Sequence, residues 1–309
     1  MYTNLYTLYT FKKIMTENHI EQAALEILKE LGYEVLFGPD IGPVSAGGSG
    51  ERERYQDVVL VGRLRAAVER LNPGLPEAAR EEVVRKVVRE STPDAIFDNR
   101  QFHLLLVDGV DVEYRHEDGE LGTEKARLID ATDILSNDFI AVNQFTVVHG
   151  DYNRRPDVVL FINGLPLVVL ELKNAVDERA TLENAYNQLQ TYKLQIPQLF
   201  RFNELLVITD GIDAEVGTLT SGRDRFTAWK TIDGEKELKG VPMLEVLLRG
   251  LCTPKHIVDV VRNFIVFEKT VEQSYIKKVA AYHQYWAVNR ALASTLVAIT
   301  EKQDRKSVV

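Results

Sequence analysis

The segment Arg155–Ala175, RPDVVLFINGLPLVVLELKNA, sets two apolar runs on either side of Asn163-Gly164 and ends the second run with Glu171 and Lys173. Asn-Gly between two β-type runs is the strongest short-range hairpin signal. Both runs are apolar at nearly every position, so they predict central strands covered on both faces and not a half-wet edge pair. Charges at the tip of such a strand need a reason. Alternation puts Glu171 and Lys173 on one face of the strand and Leu172 on the other, and Asp157 opens the preceding strand. Paired as a hairpin, the two strands bring Asp157 toward Glu171, giving two carboxylates and an ammonium in one small volume. Acids that close repel one another and lose hydration, which makes a bound cation the expected remedy. Oxygen donors of this kind suit Mg²⁺, with Mn²⁺ as a substitute, and leave room for water and substrate phosphate oxygens. The chemistry expected is phosphodiester hydrolysis, with the metal activating water and Lys173 orienting the nucleophile or stabilising the transition state.

Strand parity sets a condition on this reading. A regular two-residue turn pairs Ile162 with Leu165 and Asp157 with Leu170, which puts Asp157 and Glu171 on opposite faces. The site therefore requires an odd loop or a bulge, and Pro166, which cannot donate a ladder bond, is the natural place for the disruption. Taken alone, an acid followed by an acid-x-lysine recurs by chance in chains of this length and also describes a strand cap with a solvated charged tip. Gln188 and Tyr192, four apart in a predicted helix, share a face; by themselves they also read as an ordinary surface pair.

The remaining chain gives these strands a context. With 45% hydrophobic and 27% charged residues among 309, it can bury one large or two modest cores. A net charge of -9 excludes a protein that holds polyanions by its overall field, so nucleic-acid binding must rest on a local site or on partner subunits. The single cysteine, Cys252, lies in the apolar run MLEVLLRGLC and reads as a small buried thiol. Neither an export signal nor a membrane span is read, and a cytoplasmic setting is expected. Helices are predicted within ENHIEQAALEILKELGYEV, ending at Gly32 as C-cap, for DVVLVGRLRAAVERL and PEAAREEVVRKVVRE, and for DERATLENAYNQLQTYKLQ. GPDIGPVSAGGSGERER reads as a mobile surface loop. FHLLLVDGVDVEY, DFIAVNQFTVV and ELLVITDG are expected as strands, and the region after Gly240 as mostly helix. This pattern predicts an α/β or α+β sheet domain with an α-rich tail.

Together, RPDVVLFINGLPLVVLELKNA and AYNQLQTYK resemble the nuclease region of the R subunit of type I restriction-modification enzymes, in the PD-(D/E)xK superfamily. IEQAALEILKELGYEV, VGRLRAAVERLNPGLPEAA, NDFIAVNQFTVV and AAYHQYWAVNRAL are similar to that family in the same order. The resemblance implies a restriction-endonuclease-like mixed β-sheet core flanked by helices, with an α-helical C-terminal tail. It implies Asp157 and Glu171 as metal ligands, Lys173 as the catalytic lysine, and Gln188 with Tyr192 as a Q-x-x-x-Y pair beside them. Glu21 is similar in placement to an acid that assists the metal, with Glu17 as the alternative.

It further implies an ATP-driven motor beyond this region, for which Gln284 in YHQYWAV is a candidate adenine-recognising residue or a plain surface glutamine. No G-x-x-x-x-G-K-[ST] occurs in the chain, so an N-terminal piece is expected. Residues 1–16 are then an extension, 17–235 the nuclease domain with a helical insertion at about 55–92, and 236–309 a linker and the helical start of the motor. Double-stranded DNA and the modification and specificity subunits are the expected partners, with Arg154 or Arg155 on a DNA phosphate. A repair-type exonuclease and a non-catalytic docking module remain the alternative functions.

Overall fold

In the computed structural model, which describes residues 16–89, 92, 94–115, 120–174 and 182–306, helix α1 (Glu17–Glu30) comes first. Thr16 caps it by accepting from the His19 amide, and Ile20, Ala24, Leu25 and Leu28 form its buried stripe. Strand β1 (Glu34–Phe37) follows, then helices α2 (Val61–Leu71), α3 (Glu77–Val88) and α4 (Ala95–Asp108). The hairpin β2 (Val110–Arg115) and β3 (Leu121–Ala126) leads to strands β4 (Phe139–Asn143), β5 (Val147–His149), β6 (Tyr152–Arg154), β7 (Val158–Ile162) and β8 (Leu165–Leu172). Helices α5 (Leu182–Gln195) and α6 (Pro197–Phe200) precede β9 (Leu205–Thr209), β10 (Ala214–Gly217) and β11 (Thr227–Ala228). Helices α7 (Met243–Leu251) and α8 (Pro254–Asn263), the hairpin β12 (Ile265–Lys269) and β13 (Tyr275–Val279), and helix α9 (Tyr282–Lys306) complete the described chain.

Seven strands form one mixed sheet in the order β1-β4-β7-β8-β9-β10-β11. β1 runs parallel to β4, and β8 to β9, while the other neighbours are antiparallel. Every residue of β4, β7, β8 and β9 is buried, as runs apolar on both faces require. Helix α1 packs on β1, β4 and β8, and α5 on β8 and β9. This is a restriction-endonuclease-like core flanked by helices, with a C-terminal helix. The directions of pairing also bring the C-terminal ends of β1, β4, β8 and β9 to one edge of the sheet, beside the start of β7. In open α/β sheets that edge is where ligands bind.

The structure departs from the sequence reading in four places. Phe102 to Val107 were expected to be strand, but they end α4, which Asp94 caps by accepting from the Phe97 amide at 3.0 Å and Gly109 closes at φ +87°. A short apolar run does not reveal its own period, and the strand begins only at Val110. DFIAVNQFTVV was read as one strand, yet it is broken at Gln144, whose φ is +54°. The stretch after Gly240 is mostly helix as expected, but the β12–β13 hairpin within it was not foreseen. The Gly-rich segment before α2, expected as a surface loop, is anchored by Arg52, which is 2% exposed, donates to the Asp57 and Thr146 carbonyls and lies 3.9 Å from the Phe145 ring centroid.

Residues beyond 235 share the core of the sheet: Leu247, Leu248, Leu251, Ile257 and Val261 belong to the same apolar cluster as β7 and β8. Cys252 is buried there as expected, with its carbonyl accepting from the Tyr33 hydroxyl at 2.7 Å. No helix among the described residues is long and apolar enough to cross a membrane.

Candidate active site

The turn and the bulge that parity demands occur together. Asn163 and Gly164 sit at φ +53° and +79°, the primed-turn conformation, and pair Ile162 with Leu165 and Phe161 with Pro166. The register then shifts: Leu160 pairs with Val168, Val159 with Val169 and Val158 with Leu170, so Leu167 is the extra residue of a bulge directly after Pro166. One position further out, Asp157 stands opposite Glu171. The Leu172 amide donates to Asp157 Oδ2 at 2.7 Å, and the Lys173 amide donates to the Thr209 carbonyl of β9 at 2.8 Å, which fixes both strand ends.

Around this frame the side chains converge. Glu171 is 1% exposed; its Oε1 accepts from Lys173 Nζ at 2.7 Å, and its buried Oε2 has no hydrogen-bond partner among the described residues. Burial, followed by repulsion from Asp157, pushes the Glu171 carboxyl up to about 8 despite Lys173. Burial raises Asp157 to about 6, with Glu21 and Glu17 adding to the shift and the Leu172 amide and Lys173 opposing it. Burial alone lowers the Lys173 ammonium, but Glu171 and Asp157 outweigh it and hold the pKa above its ordinary value. Tyr192 is buried, with its hydroxyl 3.4 Å from the Arg155 carbonyl, and burial and the two acids raise its pKa. Gln188, one helical turn before it, interacts with the same phenol. Thus the five predicted residues Asp157, Glu171, Lys173, Gln188 and Tyr192 share one neighbourhood.

A cleft of about 1040 Å³ opens beside them, lined by Glu17, Glu21, Asn143, Gln144 and Asp157 among others. Glu21 lies on the buried side of α1, next to Ile20 in sequence, with Oε1 accepting from Asn143 Nδ2 at 2.7 Å and Oε2 from Gln144 Nε2 at 2.6 Å. Glu17 is more exposed, 4.0 Å from Lys173 Nζ. Asn143 and Gln144 were not anticipated from the sequence; the only signal available was a polar pair interrupting an apolar run. Arg154 donates to Gln195 and to the Asn153 carbonyl, and Arg155 is exposed. Gln284 lies on the first turn of α9, far from these groups in sequence, and its Oε1 accepts from the Ala281 amide at 2.9 Å.

The donor set fits a hard divalent cation. Glu171 offers a buried oxygen without a hydrogen-bond partner among the described residues, Asp157 stands opposite it, and burial and their mutual repulsion raise the pKa of Glu171 while burial raises that of Asp157, against the pull of Lys173. Among the described residues no three His, Cys, Asp or Glu side chains are grouped to chelate a metal by themselves. An ion here would rest on the two carboxylates, with water and phosphate oxygens completing its shell, which is how Mg²⁺ is ordinarily held.

A mixed sheet carrying an acid pair and a lysine where its parallel strands end defines a restriction-endonuclease-like protein. The family model for the type I restriction enzyme R protein N terminus matches residues 14–225, and the chain belongs to that family. It is 43% identical over 297 residues to the type I restriction enzyme HindI endonuclease subunit of Haemophilus influenzae, covering 95% of this chain and 28% of that protein. It is 32% identical over 307 residues to a Methanocaldococcus jannaschii protein provisionally described as the MjaIXP type I restriction enzyme endonuclease subunit, covering 93% of this chain and 28% of that one. Against the EcoprrI endonuclease subunit of Escherichia coli it is 27% identical over 217 residues, covering 68% and 61%. The chain thus spans little more than a quarter of the first two relatives.

Proposed function

We propose that this chain is the divalent-cation-dependent nuclease module of a type I restriction enzyme R subunit, hydrolysing DNA phosphodiesters without sequence preference. The observation that carries the reading is the bulge at Leu167, which turns Asp157 and Glu171 to the same place beside Lys173. A regular hairpin would have separated them. Asp157 and Glu171 would hold Mg²⁺ or Mn²⁺, which when bound supplies an activated water and neutralises charge on the phosphate. Lys173 keeps its proton and donates to the nucleophile or to a phosphate oxygen, since an ammonium cannot ligate a cation. Tyr192 and Gln188 hold the edge of the site through the Arg155 backbone, and Arg154 or Arg155 takes a DNA phosphate. In the full-length assembly, cleavage would follow ATP-driven translocation, with DNA selection by the modification and specificity subunits. Gln284 would serve the nucleotide only there.

The test is calorimetric titration of Mg²⁺ and Mn²⁺ into the wild type, Asp157→Ala, Glu171→Ala and Lys173→Ala, with nicking of covalently closed circular DNA. Expected are loss of cation binding in both acid variants, near-normal binding without nicking in Lys173→Ala, and slow sequence-independent nicking by the wild type. Full nicking by Glu171→Ala, or loss of cation binding in Lys173→Ala alone, would overturn the assignment. A requirement for DNA ends would point instead to an exonuclease.

A further inference from the structure

The break between β4 and β5 at Gln144 lies directly against the acid site. Gln144 adopts φ +54°, a left-handed conformation that disfavours an ordinary side chain and persists only where the surroundings over-determine it. Here they do so from three directions. The Gln144 amide donates to the Asp157 carbonyl at 2.9 Å. The Gly38 amide donates to the Asn143 carbonyl at 2.8 Å, and a Cβ on Gly38 would fall 2.4 Å from the Gln144 carbonyl oxygen. From helix α1, the two oxygens of Glu21 take the side-chain amides of Asn143 and Gln144 at 2.7 and 2.6 Å.

We propose that Glu21, Asn143 and Gln144 form a clasp that sets the position of Asp157, making Glu21 and Gln144 positioning residues and not direct cation ligands. Asp157 lies one residue outside the paired part of β7, so the sheet ladder alone does not hold it. Its backbone is held by Gln144 and its carboxylate by the Leu172 amide. Removing the first contact frees the residue to rotate about the second. Each Glu21 oxygen takes one side-chain amide, which holds the carboxylate against the Asn143–Gln144 break. The proposal rests on the reading of Asp157 and Glu171 as the cleaving site.

The role separates from ligation by one substitution. In Glu21→Gln the new side chain keeps the shape and one acceptor and replaces the other acceptor with a donor. Rotating the Gln144 amide by half a turn presents its oxygen to that donor, and the clasp re-forms. A cation ligand changed from carboxylate to amide has no such repair. Mn²⁺ titration, circular-DNA nicking and thermal melting should be compared for Glu21→Gln, Glu21→Ala, Gln144→Gly and the double variant Glu21→Ala/Gln144→Gly. Glycine is chosen at 144 because it tolerates the left-handed backbone and so removes only the side chain.

Glu21→Gln should retain Mn²⁺ affinity and nicking within about threefold of wild type, while Glu21→Ala and Gln144→Gly each lose about tenfold in nicking. The double variant should lose no more than the worse single one, because both disable one device. Nicking by Glu21→Gln as low as by Glu21→Ala would overturn the proposal in favour of direct ligation. Wild-type nicking by Gln144→Gly would overturn it by showing that the side chain positions nothing. Failure of the underlying reading looks different: Asp157→Ala and Glu171→Ala would then nick normally, whatever residue 144 is.

Discussion

Glu171 is an acid placed where acids are costly, and its titration makes that cost measurable. In the fold its carboxyl holds a proton up to about 8, and Asp157 up to about 6, whereas in the unfolded chain both release theirs near pH 4. Across this window the native state binds more protons than the unfolded state, so the stability of the cation-free protein falls as pH rises. At about 1.4 kcal/mol per pH unit for each retained proton, the loss between pH 5 and pH 8 is on the order of 3 kcal/mol or more. Urea unfolding at those two pH values should show it, and Glu171→Gln should flatten most of the slope. A wild type equally stable at both pH values would contradict the buried-acid description. Mg²⁺ should stabilise the protein more at pH 8 than at pH 5, because it binds the deprotonated acids. That Asp157, Glu171 and Lys173 meet was legible in the sequence, because strand alternation and hairpin pairing place them in one volume. Asn143 and Gln144 were not, since their role depends on a backbone angle and on a helix more than a hundred positions earlier.

Among the elements, the β7–β8 hairpin was read correctly down to its need for an irregularity, because parity is a counting argument that tertiary contacts cannot change. Its turn leaves no room for error. Gly164 combines φ +79° with a position where a Cβ would lie 2.5 Å from the Leu60 carbonyl oxygen and 2.8 Å from the Leu64 nitrogen. Gly164→Ala should therefore cost about 3 kcal/mol in urea unfolding through backbone strain and displacement of α2. A cost below 1 kcal/mol would mean that the turn is not held as described. The elements that were misread share a cause. Phe102 to Val107 and the β12–β13 hairpin are short segments whose state is decided by distant partners: Asn99 of α4 donates to the Phe200, Arg201 and Asn203 carbonyls, and Lys277 of β13 is received by Asn99 and Glu204. No local period carries that information.

At the scale of the whole molecule, that same contact ties the C-terminal hairpin to the sheet. The Lys277 ammonium is fully buried, donating to Glu204 Oε2 at 2.6 Å, Asn99 Oδ1 at 3.0 Å and the Asn203 carbonyl at 2.9 Å, while His103 Nδ1 lies 3.0 Å from the same Glu204 oxygen. Removing one partner of a buried ion pair strands the other, so Lys277→Ala should cost about 3–5 kcal/mol in urea unfolding, and Lys277→Met combined with Glu204→Gln much less. Equal costs for the two would show that lost packing, not a stranded charge, dominates. The parallel pairings of the sheet carry a different consequence, one of time. Glu34 pairs with Ile140 and Val168 with Leu205, so long loops must close before either pairing stabilises anything. The cleft draws Glu21 from before the first of these long arcs and Asn143, Gln144 and Asp157 from after it. It is therefore among the last features to assemble, and a chain still folding carries the acids without yet holding the geometry that could use them.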